Sequence, residues 1–205
     1  MLILPVAGEF RKAYKLVPIM DTIMESKEKK VIELFFENPT REWHFEEIIK
    51  EAKITRSKAD KWLKIFLRKG LIRRIKDKGR MPYYSSNYNS PEYKNRKKIF
   101  ALNKLHESGF LNHLYSLQKA KTIILFGSFS RSDWYKNSDI DLFIYGDPEG
   151  LKIAGYELKL KRDVQLFICQ NNQELAKFGE GLIKSVIKGD LIKGELDFIE
   201  VVVHA

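Results

Sequence analysis

The chain has 205 residues, of which 44% are hydrophobic and 31% are charged, with 12 glycines and 6 prolines. This length accommodates one large or two small domains, and the apolar content is sufficient for a buried core and too high for a disordered chain. The chain has no apolar run near the roughly 20 residues that cross a bilayer, and residues 1–8 lack the features of a signal peptide, so we expect a cytoplasmic protein. The single cysteine, Cys169, lies in an apolar segment and is predicted to be buried and inert.

Charge is distributed unevenly along the chain. There are 26 lysines and arginines against 14 acidic residues through residue 120, but 11 against 13 after it. Between Lys53 and Arg80, 12 basic residues are accompanied only by Asp60 and Asp77. This density favours a polyanionic partner, with nucleic acid as the first candidate. The alternative is a solvated basic surface of the kind found in proteins from hot environments.

The amino-terminal half has the periodicity of three helices and a hairpin. Apolar residues at helical spacing predict helices over 28–37 and 43–52, and a third that is capped by Thr55 and is amphipathic and basic. Gly70 is predicted to end the third helix. Two short extended runs within 71–86, joined by a basic turn, then predict a hairpin.

Three helices followed by a hairpin, with the most basic helix third, resemble the winged helix-turn-helix domains of small prokaryotic transcription regulators. We therefore predict a DNA-binding domain over 1–88. The resemblance implies that the third helix enters the major groove and that the hairpin, the wing, contacts phosphates. The candidate DNA-binding residues are Arg56, Ser57, Lys58, Lys61 and Lys64 of the helix and Lys76, Lys78 and Arg80 of the wing. A winged helix that serves only protein contacts is the alternative interpretation.

Residues 89–120 are predicted to form a helical connector. Its helices, over 91–107 and 110–120, are separated by Ser108-Gly109 and are a candidate interface for a homodimer. Towards the carboxyl terminus, apolar spacing predicts one helix over 173–188. The apolar run 198–203 is predicted to be either an edge strand or a contact with a partner.

The strongest functional signal begins at Gly127-Ser128, which follows a β-branched strand and precedes Asp139-Ile140-Asp141 by ten residues. Residues two apart on a strand share a face, so the two aspartates place their carboxylates side by side. A divalent cation relieves the repulsion between them, and magnesium prefers such oxygen ligands together with substrate phosphates. Gly127 lets a phosphate approach the backbone, and Ser128 adds a hydroxyl. Asp163 begins another apolar strand and is the candidate third acid for two-metal chemistry.

On Gly127-Ser128 and the Asp139-x-Asp141 pair, the chain is identified as a member of the minimal nucleotidyltransferase branch of the DNA polymerase beta superfamily. The resemblance is most specific over 121–169 and implies a domain over 121–205 with a mixed sheet flanked by helices. The whole chain is therefore predicted to have an α+β fold. The family implies that Ser128 contacts nucleotide phosphates and that Asp139 and Asp141 bind Mg²⁺. It also implies that Asp163 completes the metal site and helps to activate the acceptor, while Arg131 matches a basic position after the Gly-Ser turn.

Two functions follow from these patterns. The first is a magnesium-dependent nucleotidyltransferase that moves a nucleoside monophosphate from a nucleoside triphosphate, with ATP favoured, to an acceptor hydroxyl. Resemblance to antitoxin-like minimal nucleotidyltransferases implies a protein acceptor, such as a partner toxin, although a small molecule or a nucleic-acid end is equally open. The second is a DNA-binding transcription regulator whose nucleotidyltransferase-like domain senses nucleotide without turnover.

Overall fold

The computed structural model describes residues 26–199. The predictions for residues 1–8, for the beginning of the 1–88 domain and for residues 200–203 of the apolar run 198–203 concern residues outside this range. Within it, helices and two β-sheets alternate, which confirms the predicted α+β class. None of the helices between residues 26 and 199 is both long and apolar enough to span a membrane.

The first part of the chain forms three helices and a small sheet. The helices are α1 (Ser26–Glu37), α2 (Phe45–Ala52) and α3 (Arg56–Arg68). The strands are β1 (Trp43–His44), β2 (Ile72–Ile75) and β3 (Tyr83–Ser86), which lie antiparallel in the order β1-β3-β2. The Thr55 hydroxyl accepts a hydrogen bond from the Lys58 amide at 3.4 Å, so the predicted cap of α3 is confirmed.

The helix predicted over 43–52 begins later than expected. Trp43 and His44 are extended and pair with Tyr84 and Tyr83 of β3. The His44 amide donates to the Glu47 carboxylate at 2.8 Å, and this bond fixes the start of α2. Pairing with a distant strand therefore overrides the local helical spacing.

A second group of elements follows. It consists of α4 (Pro91–Glu107), α5 (Phe110–Ser116), β4 (Ala120–Phe126), α6 (Gly127–Arg131), β5 (Ile140–Gly146), α7 (Ala154–Leu160), β6 (Val164–Cys169), α8 (Asn172–Leu175), α9 (Glu180–Ile187) and β7 (Asp190–Lys193). The four strands form a mixed sheet in the order β6-β5-β4-β7, in which only β5 and β6 are parallel. The predicted mixed sheet is confirmed.

Two helix predictions need correction. The helix predicted over 110–120 ends at Ser116, because Leu117 is extended and Ala120 already belongs to β4. The single helix predicted over 173–188 is wrong. An extended Gly179 divides this segment into α8 and α9. Phe178, which lies between the two helices, packs edge-on against Phe143 with 6.0 Å between the ring centres.

One hydrophobic core connects the two groups of elements. Phe36 at the end of α1 contacts the rings of Tyr93 and Phe100 in α4, with centroids 5.2 and 5.3 Å away. It also contacts Trp134, which follows α6, at 6.4 Å. The buried side chains of both groups belong to one connected cluster, whose first member along the chain is Val31 and whose last is Ile192. The opposite face of the sheet carries a smaller cluster that includes Cys169, which is fully buried as predicted.

Candidate active site

The turn after β4 and the start of β5 lie against each other. β4 and β5 are antiparallel, and Phe126 at the end of β4 is paired with Asp141. Gly127 follows with φ +69°, a conformation that disfavours other residues. A Cβ atom at Gly127 would lie 1.9 Å from Oδ2 of Asp141. Glycine is therefore required here both by the backbone and by the neighbouring carboxylate.

Asp139 and Asp141 flank the first residue of β5. Ile140 between them is buried, Asp139 is exposed and Asp141 is half-buried, as expected for residues that alternate across a strand. Burial raises the pKa of Asp141, the Asp139 carboxylate raises it further, and Arg131 partly opposes both effects. The structure therefore brings the two predicted carboxylates together and makes their mutual repulsion significant.

The predicted phosphate-binding residues lie on the adjoining short helix α6. Ser128 is half-buried, and its carbonyl accepts a hydrogen bond from the Asp133 amide at 3.1 Å. Arg131 is exposed and forms an ion pair with Asp133, with 3.0 Å between Nε and Oδ2. Its positive charge lowers the pKa of Asp141, against the larger effects of burial and of Asp139.

Asp163 lies near Asp139 but does not form a cluster with the pair. Its carbonyl accepts a hydrogen bond from the Ile140 amide at 2.9 Å, and its side chain is exposed. Asp139 and Asp163 both line an open cavity of about 670 Å³. The parallel register of β5 and β6 places Gln165, and not an acid, opposite Asp141. Within residues 26–199, no group of three acidic, histidine or cysteine residues is arranged to hold a metal ion. The role of Asp163 stays a prediction.

Arg162 is only 9% exposed and was not among the site residues predicted from the sequence. Its Nη1 donates to the carbonyls of Tyr135 at 2.7 Å and Ser138 at 2.9 Å, directly before Asp139. Its Nη2 lies 3.5 Å from the Glu37 carboxylate. Burial lowers the pKa of Arg162 and raises that of Glu37, although the two charges attract each other. No local pattern in the sequence indicates this role, because the partners are distant along the chain.

Lys97 is a second buried cation that the sequence did not reveal. It is 1% exposed, and its Nζ donates to the Trp134 carbonyl at 2.5 Å. The same nitrogen lies 4.5 Å from the centre of the Trp134 ring, a cation–π contact. Burial lowers the pKa of Lys97 to about 7. Lys97 therefore fixes the segment before Asp139 from the side of α4.

The candidate DNA-binding residues lie on the surface of α3 and of the β2–β3 hairpin. Arg56 pairs with Glu46 at 2.6 Å, and Lys64 pairs with Asp60 at 2.7 Å. The exposed members are Arg56, Ser57, Lys61, Lys64, Lys76, Lys78 and Arg80, whereas Lys58 is half-buried. Arg73 and Arg74 of β2 are also exposed, although they were predicted only as members of the basic run between Lys53 and Arg80.

Comparisons with known proteins show a similarity that covers most of the second group of elements. Residues 108–193 match the model of the nucleotidyltransferase domain family. A crystal structure of a proposed nucleotidyltransferase from Sulfolobus solfataricus is similar at 16% identity and a TM-score of 0.28, over 53% of this chain and 94% of that one. No curated protein matches the sequence significantly. The match makes residues 108–193 similar to a nucleotidyltransferase domain, and nucleotidyl transfer is the general class of reaction that this similarity supports.

Proposed function

We propose that the protein transfers a nucleoside monophosphate from a nucleoside triphosphate, with ATP favoured, to an acceptor hydroxyl in a magnesium-dependent reaction. The observation that carries this proposal is the contact between Gly127 and the Asp141 carboxylate beside Asp139. It lies within the region that matches the nucleotidyltransferase family.

The carboxylates of Asp139 and Asp141 are ligands of the kind that Mg²⁺ prefers. Two carboxylates approach each other at a partly buried position, where burial and, after it, the Asp139 charge raise the pKa of Asp141. A hard cation with oxygen ligands removes the repulsion between them, and Mg²⁺ is commonly bound by one or two carboxylates together with substrate phosphates. Asp139 and Asp141 would hold the ion, which would neutralise charge on the triphosphate and the departing pyrophosphate.

The side chains around the pair account for the remaining requirements of the reaction. In this proposal Ser128 and Arg131 bind the phosphates, by a hydroxyl donor and a positive charge respectively. Asp163, in the cavity beside Asp139, accepts the proton of the acceptor hydroxyl. The acceptor oxygen then forms a bond to the α-phosphorus while the bond from that phosphorus to pyrophosphate breaks in line.

We also propose that the amino-terminal helices and hairpin form a DNA-binding winged helix. The order of α1, α2, α3 and the β2–β3 hairpin supports this assignment. The ion pairs of Arg56 with Glu46 and of Lys64 with Asp60 lie on the surface, where phosphates can replace the carboxylates as partners. Binding to DNA would bring the transferase to nucleic acid or would regulate its own promoter.

A second candidate function is supported by a different observation. Gln165, which is neutral, lies opposite Asp141 on β6, so the strand position beside this carboxylate carries no acid. An amide there favours nucleotide binding without turnover. In this alternative the domain is a nucleotide sensor attached to a DNA-binding regulator.

Transfer of label from α-phosphate-labelled ATP to components of an extract of the source cell distinguishes the two functions. We expect magnesium-dependent labelling by the parent protein and none by the Asp139→Asn, Asp141→Asn double variant. Asp147→Asn is the matched control, because it removes an exposed carboxylate beyond the other end of β5. Magnesium-dependent ATP binding by the parent without labelling would favour the sensor. Equal labelling by the double variant would refute the assigned site.

A further inference from the structure

The segment immediately before Asp139 is a tight turn that is held by hydrogen bonds between Tyr135 and Ser138. The Ser138 amide donates to the Tyr135 carbonyl at 3.1 Å, and the Ser138 hydroxyl accepts from the Tyr135 amide at 2.8 Å. The carbonyls of both residues also accept from Nη1 of Arg162. One guanidinium therefore closes the turn that leads directly into the aspartate pair.

Arg162 also contacts the other parts of the site. Its guanidinium carbon lies 5.2 Å from the centre of the Phe129 ring, which belongs to the helix that carries Ser128. It lies 5.0 Å from the Trp134 ring, and Trp134 stacks on Phe129 at 5.4 Å. Because Arg162 directly precedes Asp163, a single side chain connects α6, the turn before β5 and the start of β6.

The amino-terminal helix α1 supports the same turn from outside the nucleotidyltransferase domain. The carbonyl of Glu37, the last residue of α1, accepts a hydrogen bond from the Lys136 amide at 2.9 Å. The carboxylate of Glu37 lies 3.5 Å from Nη2 of Arg162. Both contacts join α1 to the turn that precedes Asp139.

Building on the proposed transfer reaction, we infer that Arg162 is a positioning residue for Asp139 and Asp141, and that Glu37 makes α1 part of this arrangement. The planar guanidinium is suited to the task, because its fixed donors reach two carbonyls and a carboxylate at once. A lysine keeps the charge and most of the apolar stem but cannot reproduce this geometry. A shift of α1 is consequently transmitted to the aspartate pair.

The test compares Arg162→Lys and Glu37→Gln with Glu33→Gln in the full-length protein. Glu33 lies one turn earlier on α1, pairs with Lys104 and acts on Arg162 only through its charge, so its variant removes the same charge without loss of a hydrogen bond or ion pair to the turn. With labelled ATP and the acceptor that labelling identifies, we expect kcat to fall roughly 10- to 100-fold for Arg162→Lys, less for Glu37→Gln and not at all for Glu33→Gln. The KM for ATP should change less than kcat, because Ser128 and Arg131 themselves are unchanged.

Hydrogen exchange supplies a measurement that does not depend on turnover. The amides of Lys136 and Ser138 should exchange faster in Arg162→Lys and Glu37→Gln than in the parent and in Glu33→Gln. Parental kcat in Glu37→Gln, or an equal loss in Glu33→Gln, would overturn the inference. If the parent transfers no label, the proposed function fails and exchange alone decides: faster exchange supports positioning, and unchanged exchange refutes it. If Arg162→Lys does not fold, Glu37→Gln decides in the same way.

Discussion

Gly127→Ala should abolish most of the activity while lowering the stability by about 1–2 kcal/mol. The added Cβ atom would lie 1.9 Å from Oδ2 of Asp141, and real Cβ contacts do not fall below 3.0 Å. The carboxylate must therefore retreat by the difference between these distances, and a misplacement of roughly 1 Å in a catalytic group costs about 10²-fold in rate. Alanine at φ +69° adds about 1–2 kcal/mol of backbone strain.

Gly79→Ala separates these two effects. Gly79 has φ +77°, and no atom lies within 4 Å of its added Cβ, so this variant has the strain without the collision. We expect both variants to lose about 1–2 kcal/mol in urea denaturation, and only Gly127→Ala to lose label transfer. Transfer by Gly127→Ala at the rate of Gly79→Ala would contradict the placement of Asp141 in the site.

Three further predictions concern the rest of the molecule. Replacing three lysines of α3 with glutamine should weaken DNA binding and lower the slope of the logarithm of affinity against the logarithm of salt concentration by roughly 2 to 3. The same replacement at three exposed lysines of the second group should change neither quantity. The lysines of α3 are Lys58, Lys61 and Lys64, and the control lysines are Lys152, Lys177 and Lys188. Burial lowers the pKa of Lys97 to about 7, so between about pH 7 and pH 10 the unfolded chain binds more protons than the folded one and the parent becomes more stable as the pH rises. Lys97→Met should remove this rise in stability. Urea denaturation at pH 7 and pH 9.5 tests this, with exposed Lys94→Met as control, and an unchanged pH dependence in Lys97→Met would contradict it. Tyr93→Phe should cost about 1 kcal/mol, because its buried hydroxyl donates to the Phe35 carbonyl at 2.8 Å, whereas exposed Tyr88→Phe should cost nothing in the same assay.

Local patterns were sufficient for much of the fold. Caps and apolar spacing located α1, α3 and α4, and the spacing of the Gly-Ser turn to the aspartates located the start of β5. The short strand Trp43–His44 was missed, since it exists only through pairing with β3. The break at Gly179 was missed because the flanking apolar spacing continues across it, while Phe178 is drawn to the sheet.

The candidate site was predictable only in part, for a similar reason. Gly127, Asp139 and Asp141 lie close in sequence, and strand geometry brings them together. Arg162 and Glu37 depend on the way in which α1 and α4 pack against the turn before β5, and no local pattern contains that information. The sequence likewise placed Asp163 at the start of a strand, but the register that sets Gln165 opposite Asp141 is visible only in the sheet.

The hydrophobic core extends beyond the region that matches the family model. The family match begins at residue 108, but Phe36, which packs on Trp134, and Phe100, which packs on Phe36, both precede that boundary. A fragment cut there would expose its aromatic surface to water, whereas the intact chain should melt in one cooperative transition. The region that matches the family model is therefore smaller than the unit that folds, and grafting this region onto another partner requires the transfer of a matching aromatic face as well.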